Sequence, residues 1–140
     1  MSLWTRDAAA SGVSDWCREH GAALVAFSPI GRGFLSAEID DSTAFEPGDF
    51  RANNPRFTAE ARAANAIIVD VVRRIAAAHD ATPAQVSLAW LLAQGDHIVP
   101  IPGTRRVSHL QANLAAAGLA LTAAELAELD ALPAAAGSRY

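Results

Sequence analysis

The chain has 140 residues, a formal net charge of −4, 51% apolar and 19% charged residues, which fits one ordinary globular domain with a core and is too short to suggest two. Its acids are scattered and no basic stripe opposes them, so nucleic acid and anionic membranes are disfavoured as partners. No apolar run reaches the ~18 residues of a membrane span, the start MSLWTRD lacks a signal-peptide pattern, and Cys17 has no second cysteine to pair with, so a soluble cytoplasmic protein is expected.

Residues 8–20, AAASGVSDWCREH, carry Val13, Trp16 and Cys17 at helical spacing and end at Gly21, which predicts one helix. ALVAF, residues 23–27, is a continuous apolar run of the kind found in strands covered on both faces. SPIGRGF then spends Gly31 and Gly33 where a turn needs one glycine, which points to something approaching the backbone closely. Residues 36–57 form a long polar stretch with Pro47, Gly48, Asn53, Asn54 and Pro55; loops of this length are uncommon unless they are functional covers or disordered.

Residues 58–80 return to helical spacing, with Ile67, Ile68, Val71, Val72 and Ile75 on one broad face and Asp70 free to pair with Arg73 or Arg74. The next helix, 82–95, opens with Thr82 as N-cap, Pro83 in the first turn and Gln85 closing a capping box, and it places Trp90 in the core. HIVPIPG, residues 97–103, repeats the pattern of apolar strand and glycine turn. Helices are predicted over 105–117 and 122–132, the second with a Thr122–Glu125 capping box, and the tail from Pro133 is expected to fray.

Strands alternating with helices predict a parallel α/β sheet, in which ligands bind at the C-terminal strand ends. Both glycine turns would meet there. In the second, GTRRVSHLQAN, the free N–H groups and positive end of a helix favour an anion, and arginines at that end suit a phosphate. Arg105, His109 and Asn113 recur every four residues along one face. The same residues also fit the solvated surface of an ordinary terminal helix.

Other constellations are weaker. His20, His79, His97 and His109 are too far apart for a metal-ligand spacing, so no metal is expected. Asp40 and Asp41 read as a solvated pair, and neither a nucleophile elbow, nor a Walker loop, nor a dinucleotide fingerprint occurs. All eleven basic residues are arginine, and the one tyrosine is Tyr140.

LWTRD, VAFSPIGRGFL, DFRANNPRF and IVPIPGTRRVSHLQANL, in this order, resemble the C-terminal part of the aldo-keto reductases over most of residues 2–132. The resemblance implies an α/β fold, a partial (β/α)8 TIM-type barrel with a stub of strand 6 at SLW, strands 7 and 8, and their helices. It implies hydride transfer between NADPH and an aldehyde or ketone. Ser28, Pro29, Ile30, Gly31 and Arg32 would lie along the cofactor pyrophosphate. Gly103, Thr104, Arg105, His109 and Asn113 would cover the 2'-phosphate and adenine end. Residues 36–57 would fold over the dinucleotide, and Trp4 would stand near the nicotinamide and substrate. The family works through an Asp, Tyr, Lys and His set from the first half of the barrel, whereas this chain has no lysine and only Tyr140. The implied reading is an NADP(H)-binding portion without catalysis of its own. Strands that cannot close leave edges that invite a second copy or a complementing N-terminal half. The alternative is a non-catalytic interaction module, or a truncated remnant, that pairs with another chain. A helical DNA-binding protein built on residues 82–117 is disfavoured by the acidic charge and the prolines.

Overall fold

In the computed structural model, which describes residues 1–140, two short strands run parallel: β1 (Leu24–Phe27) and β2 (Ile98–Ile101), with Leu24 opposite Ile98 and Phe27 opposite Ile101. Parallel neighbours need a long crossover. Here it carries α3 (Ala59–Ala78) and α4 (Pro83–Leu92). Two short helices, α1 (Asp7–Ala10) and α2 (Val13–Glu19), precede β1, and α5 (Val107–Ala115) and α6 (Ala123–Asp130) follow β2. No single helix is long and apolar enough to cross a membrane.

The helix starts follow their local chemistry. Thr82 and Thr122 each accept from the backbone of Gln85 and Glu125, whose side chains accept in return from the threonine N–H, so both capping boxes close. The core lies between the helices and one face of the sheet, with Ile68, Val72, Ile75, Val86, Trp90, Leu91, Leu129, Ala26 and Ile98 buried. Trp90 is fixed by its indole N–H donating to Asp130 at 2.8 Å. Asp70 pairs with Arg73.

Several expectations need correction. Residues 8–20 are two helices, because Gly12 turns left-handed (φ 77°) and caps the second. The buried stripe of α3 runs through Ile68, Val69, Val72, Ile75 and Ala76, while Ile67 is 54% exposed, a step of ~100° outside that stripe. The last strand-following helix begins at Val107, so Arg105 lies outside it. The sheet is covered on one face only. Val25, Phe27, Val99 and Ile101 stand on the other, 44% to 55% exposed, because no element of the chain packs there.

Residues 36–57 are not a plain loop. Asp49 and Asn54 cap short 3-10 turns at Phe50–Asn53 and Pro55–Phe57, and Phe57 is buried. Nor does the tail fray. Asn65, 1% exposed, donates to the Ala136 carbonyl at 3.1 Å and accepts from its N–H at 2.8 Å. Arg56 donates to the Gly137 carbonyl and Asn54 to that of Arg139.

Candidate functional site

Because Phe27 pairs with Ile101, the two turns leave the sheet side by side at its C-terminal rim. Between them, Ser28–Gly33 and Ile101–Gly103 enclose a groove of about 330 Å3. A second groove of about 430 Å3 shares Ile30, Gly33 and Gly103 as walls and reaches Thr104, His109 and Asn113, with the start of α4 and Glu38 opposite. The two neighbouring grooves thus line the rim from the first turn to the face of α5.

The first turn is built from left-handed backbone: Ser28 (φ 50°), Gly31 (57°), Arg32 (59°) and Gly33 (96°). A Cβ on Gly31 would stand 2.8 Å from Cε3 of Trp4, so the close approach that this glycine permits is that of an aromatic ring. Gly33 has ordinary room, its nearest neighbours at 3.4 and 3.5 Å, and is set by its φ. Trp4 is 3% exposed, stacked on Phe34 at 4.3 Å with Phe57 edge-on at 5.3 Å. It is a core residue with one side on a cavity.

Arg51 ties the Asp49–Asn53 segment to this turn. It donates to both Asp49 carboxylate oxygens, at 2.6 Å from Nη2, and to the Arg32 carbonyl at 3.3 Å. The Arg51 guanidinium holds the Asp49 carboxyl below the usual carboxylate range. The Arg32 guanidinium lies between the rings of Phe50 (4.7 Å) and Tyr140 (5.1 Å) and donates to the Arg139 carbonyl at 3.4 Å. In the second turn, Thr104 accepts from the Arg106 N–H at 3.1 Å. Arg105 is exposed and its side chain makes no hydrogen bond or ion pair.

Ser28 and Arg32 also wall a small cavity of about 20 Å3, with Trp4, Thr5, Arg56 and Arg139. Arg56 crosses it, donating from Nη1 to the Trp4 carbonyl at 2.8 Å and to the Thr5 hydroxyl at 2.7 Å. Arg139 lays its guanidinium over the Phe27 ring at 4.2 Å.

Residues 1–134 match the sequence profile of the aldo/keto reductase family. The chain belongs to that family. It is 44% identical over 118 residues to an aldo-keto reductase [NADP(+)] of Schizosaccharomyces pombe, covering 84% of this chain and 35% of that protein. It is 42% identical over 115 residues to an aldo-keto reductase of Strobilurus tenacellus, covering 82% of this chain and 34% of that one. The chain thus spans about a third of the length of these curated relatives. Among solved structures, it superposes on a thermostable aldo-keto reductase in complex with the inhibitor epalrestat with a TM-score of 0.67 at 29% identity, over 93% of this chain and 36% of that one. The glycerol dehydrogenase of Gluconobacter oxydans shares the fold, with a TM-score of 0.80 at 22% identity over 93% and 39% of the two chains.

Within this aldo-keto reductase chain, the structure brings Ser28, Pro29, Ile30, Gly31 and Arg32 to one rim with Gly103, Thr104, His109 and Asn113. Arg105 stands beside them, outside the groove walls and off the helical face shared by His109 and Asn113. Sequence reasoning missed Arg56, Arg139 and the start of α4. Arg56 lies inside the motif DFRANNPRF, but nothing local marks its role.

Proposed function

We propose that this chain is the NADP(H)-binding C-terminal portion of an aldo-keto reductase, a cytoplasmic oxidoreductase family member acting on aldehydes or ketones, and that its strands are the last of a (β/α)8 barrel. The observation that carries the reading is the pair of grooves that share Ile30, Gly33 and Gly103 as walls between the two turns at one sheet rim. The donor set there fits a dinucleotide. Backbone N–H groups at the start of α5 and the Thr104 hydroxyl suit the 2'-phosphate, with the unpartnered Arg105, exposed beside the groove, able to reach over to it; His109 and Asn113 suit the adenine end, and the Ser28–Arg32 turn the pyrophosphate. Bound there, NADPH supplies the hydride. The chain's own part is to hold and orient it, with the stretch 36–57, latched by Arg51, covering the turn. With no lysine and only Tyr140, the chain is proposed not to reduce a carbonyl unaided.

NADPH fluorescence titration of the folded chain tests this. Saturable binding is expected, and Arg105→Ala should erase at least about tenfold of the preference for NADPH over NADH. A folded chain that binds neither, or an Arg105→Ala variant with its preference intact, would overturn it. A second reading, an interaction module, is favoured by the half-exposed sheet face of Val25, Phe27, Val99 and Ile101 and by the unpaired outer edges of both strands. It predicts self-association, or capture of the N-terminal part of the barrel supplied as a separate chain. Sedimentation as a monomer at all concentrations, with no capture of that part, would count against it.

A further inference from the structure

A groove of about 290 Å3 lies between residues 34–41 and one face of α3, and it shares no wall residue with the grooves at the sheet rim or with the small cavity beside Trp4. Its apolar walls include Phe34, Ile39 and Val69, each no more than 7% exposed. Its charged walls are three aspartates, Asp40, Asp41 and Asp70, and two arginines, Arg62 and Arg73. Most of that charge is answered within the chain. Arg73 faces Asp70 at 3.5 Å and donates to the Ala37 carbonyl at 2.9 Å, and the Asp40 carboxylate accepts from the Ser42 N–H and from the Ser42 and Thr43 hydroxyls. Two groups of opposite sign are left over. Asp41 is exposed, and its carboxylate takes part in no hydrogen bond or ion pair. Arg62 is only 9% exposed, and of its nitrogens Nη1 alone is engaged, by the Asp40 and Thr43 carbonyls, with the Phe45 ring centre 5.5 Å from the guanidinium carbon. Its Nε is buried without a partner, its Nη2 makes no hydrogen bond, and no carboxylate pairs with it. A buried guanidinium with one whole edge unanswered is costly until an anion completes it.

We infer that this groove binds a free α-amino acid with an apolar side chain, its carboxylate on Arg62, its ammonium toward Asp41 and its side chain against Phe34, Ile39 and Val69. The open edge of Arg62, Nε with Nη2, is one that holds a carboxylate in two parallel hydrogen bonds. Because Nε has no surface open to water, the carboxylate seats on Nη2 and reaches Nε as the guanidinium turns about its Nη1 contacts. Charge selects the zwitterion. A bare carboxylate would enter walls with three aspartates against two arginines, and a bare amine would leave Arg62 uncompensated; an amino acid brings one charge of each sign on neighbouring atoms. Size selects the side chain. The groove is at the small end of the roughly 300–1,000 Å3 range of ligand clefts, and beyond the two charged groups it has room for a leucine or phenylalanine side chain. None of this depends on the nucleotide reading, since the walls belong to α3 and to the segment that leads into it from the first turn.

Isothermal titration of L-leucine and L-phenylalanine into the full chain tests the site. Saturable binding of at least one, with a Kd of about 1 mM or tighter, is expected, and glycine should bind at least about tenfold more weakly. Leucinamide, which lacks the carboxylate, and N-acetyl-leucine, which lacks the ammonium, should each lose at least about tenfold. Asp41→Asn changes an exposed side chain that holds nothing in the fold and should weaken binding by at least about fivefold, whereas Glu46→Gln, at an exposed acid outside the groove, should change it by less than about twofold. Arg62→Gln should abolish binding; because Arg62 also holds the Asp40 and Thr43 carbonyls, that variant is read beside Asp41→Asn and the two analogues. A folded chain that binds neither amino acid, analogues that bind as well as leucine, or an unchanged affinity in Asp41→Asn would each overturn the inference. Saturating NADP+ should leave leucine bound, and competition between the two would overturn it as well. Leucine binding that depends on Asp41 in a chain that fails to bind NADP+ would support this site and count against the nucleotide reading alone.

Discussion

Replacing Gly31 by alanine tests the construction of the first turn. At φ 57° an L-residue costs ~1–2 kcal/mol in backbone strain. The new methyl would lie 2.8 Å from Cε3 of Trp4 and 3.3 Å from Cγ of Leu35. Trp4 cannot retreat, because Phe34 stacks on it and Phe57 closes its edge. Overpacking of this kind adds ~1–3 kcal/mol, so the total is about 2–5 kcal/mol. Two neighbours calibrate the measurement. Gly33→Ala meets atoms at ordinary distances of 3.4 and 3.5 Å and carries only its backbone strain at φ 96°, ~1–2 kcal/mol. Gly103→Ala meets nothing within 4 Å and has no positive φ, so its stability should stay within ~0.5 kcal/mol of the parent. Urea unfolding followed by tryptophan fluorescence gives the order; with a slope of ~2 kcal/mol/M, a loss of 3 kcal/mol moves the midpoint by ~1.5 M. Gly31→Ala no less stable than Gly103→Ala would refute the packing argument. Gly103→Ala should instead weaken NADPH binding while leaving the midpoint in place.

Asn65→Ala removes both hydrogen bonds to Ala136 from a fully buried position, so a loss of ~2–3 kcal/mol is expected, with faster proteolysis within residues 136–140. Thr82→Ala opens the α4 capping box and should cost ~1 kcal/mol by thermal or urea unfolding. Acid should destabilise the fold through Asp49, held low by hydrogen bonds from Arg51, Asp40, held low by the Ser42 and Thr43 hydroxyls, and Glu125, held low by the Thr122 N–H with help from His79. Each carboxyl has a folded value below its unfolded one. Its stabilisation is therefore present above about pH 4 and is lost as pH falls through the lower folded value. Melting temperatures should drop below about pH 4, and Asp49→Asn should flatten that drop; an unaltered slope would show that Asp49 contributes nothing.

What was legible in the sequence was local. A threonine three residues before Gln85 or Glu125 closes its box with groups one turn away, so both helix starts can be read from four letters. The glycine turns were legible for the same reason, and their meeting at one rim followed from strand alternation. The breaks were not. Gly12 lies between helical neighbours, and nothing in AAASGVSDW decides between a tolerated glycine and a cap. Arg105 falls on the His109 face only if the helix already runs there, and it does not. The tail was unreadable because its partners are remote: Arg56, Asn54 and Asn65 hold Ala136, Gly137 and Arg139 across more than half the chain. The arginine cavity depends on those contacts, so no window of sequence contains it.

The strands carry a further lesson in what a continuous apolar run encodes. A strand with one wet face alternates apolar and polar residues. LVAF and IVPI do not alternate, yet only Ala26 and Ile98 are buried, while Val25, Phe27, Val99 and Ile101 keep 44% to 55% of their surface in water. The one group laid on that face is the Arg139 guanidinium over Phe27. Covering the other half of four such side chains would contribute roughly 1 kcal/mol each by area removed from water, with unpaired strand edges adding directional hydrogen bonding to whatever comes alongside. The composition of the strands is thus that of a sheet buried twice, in a chain that buries it once. That mismatch, more than any single site residue, is why the proposed barrel closure and the proposed partner are two forms of the same physical requirement.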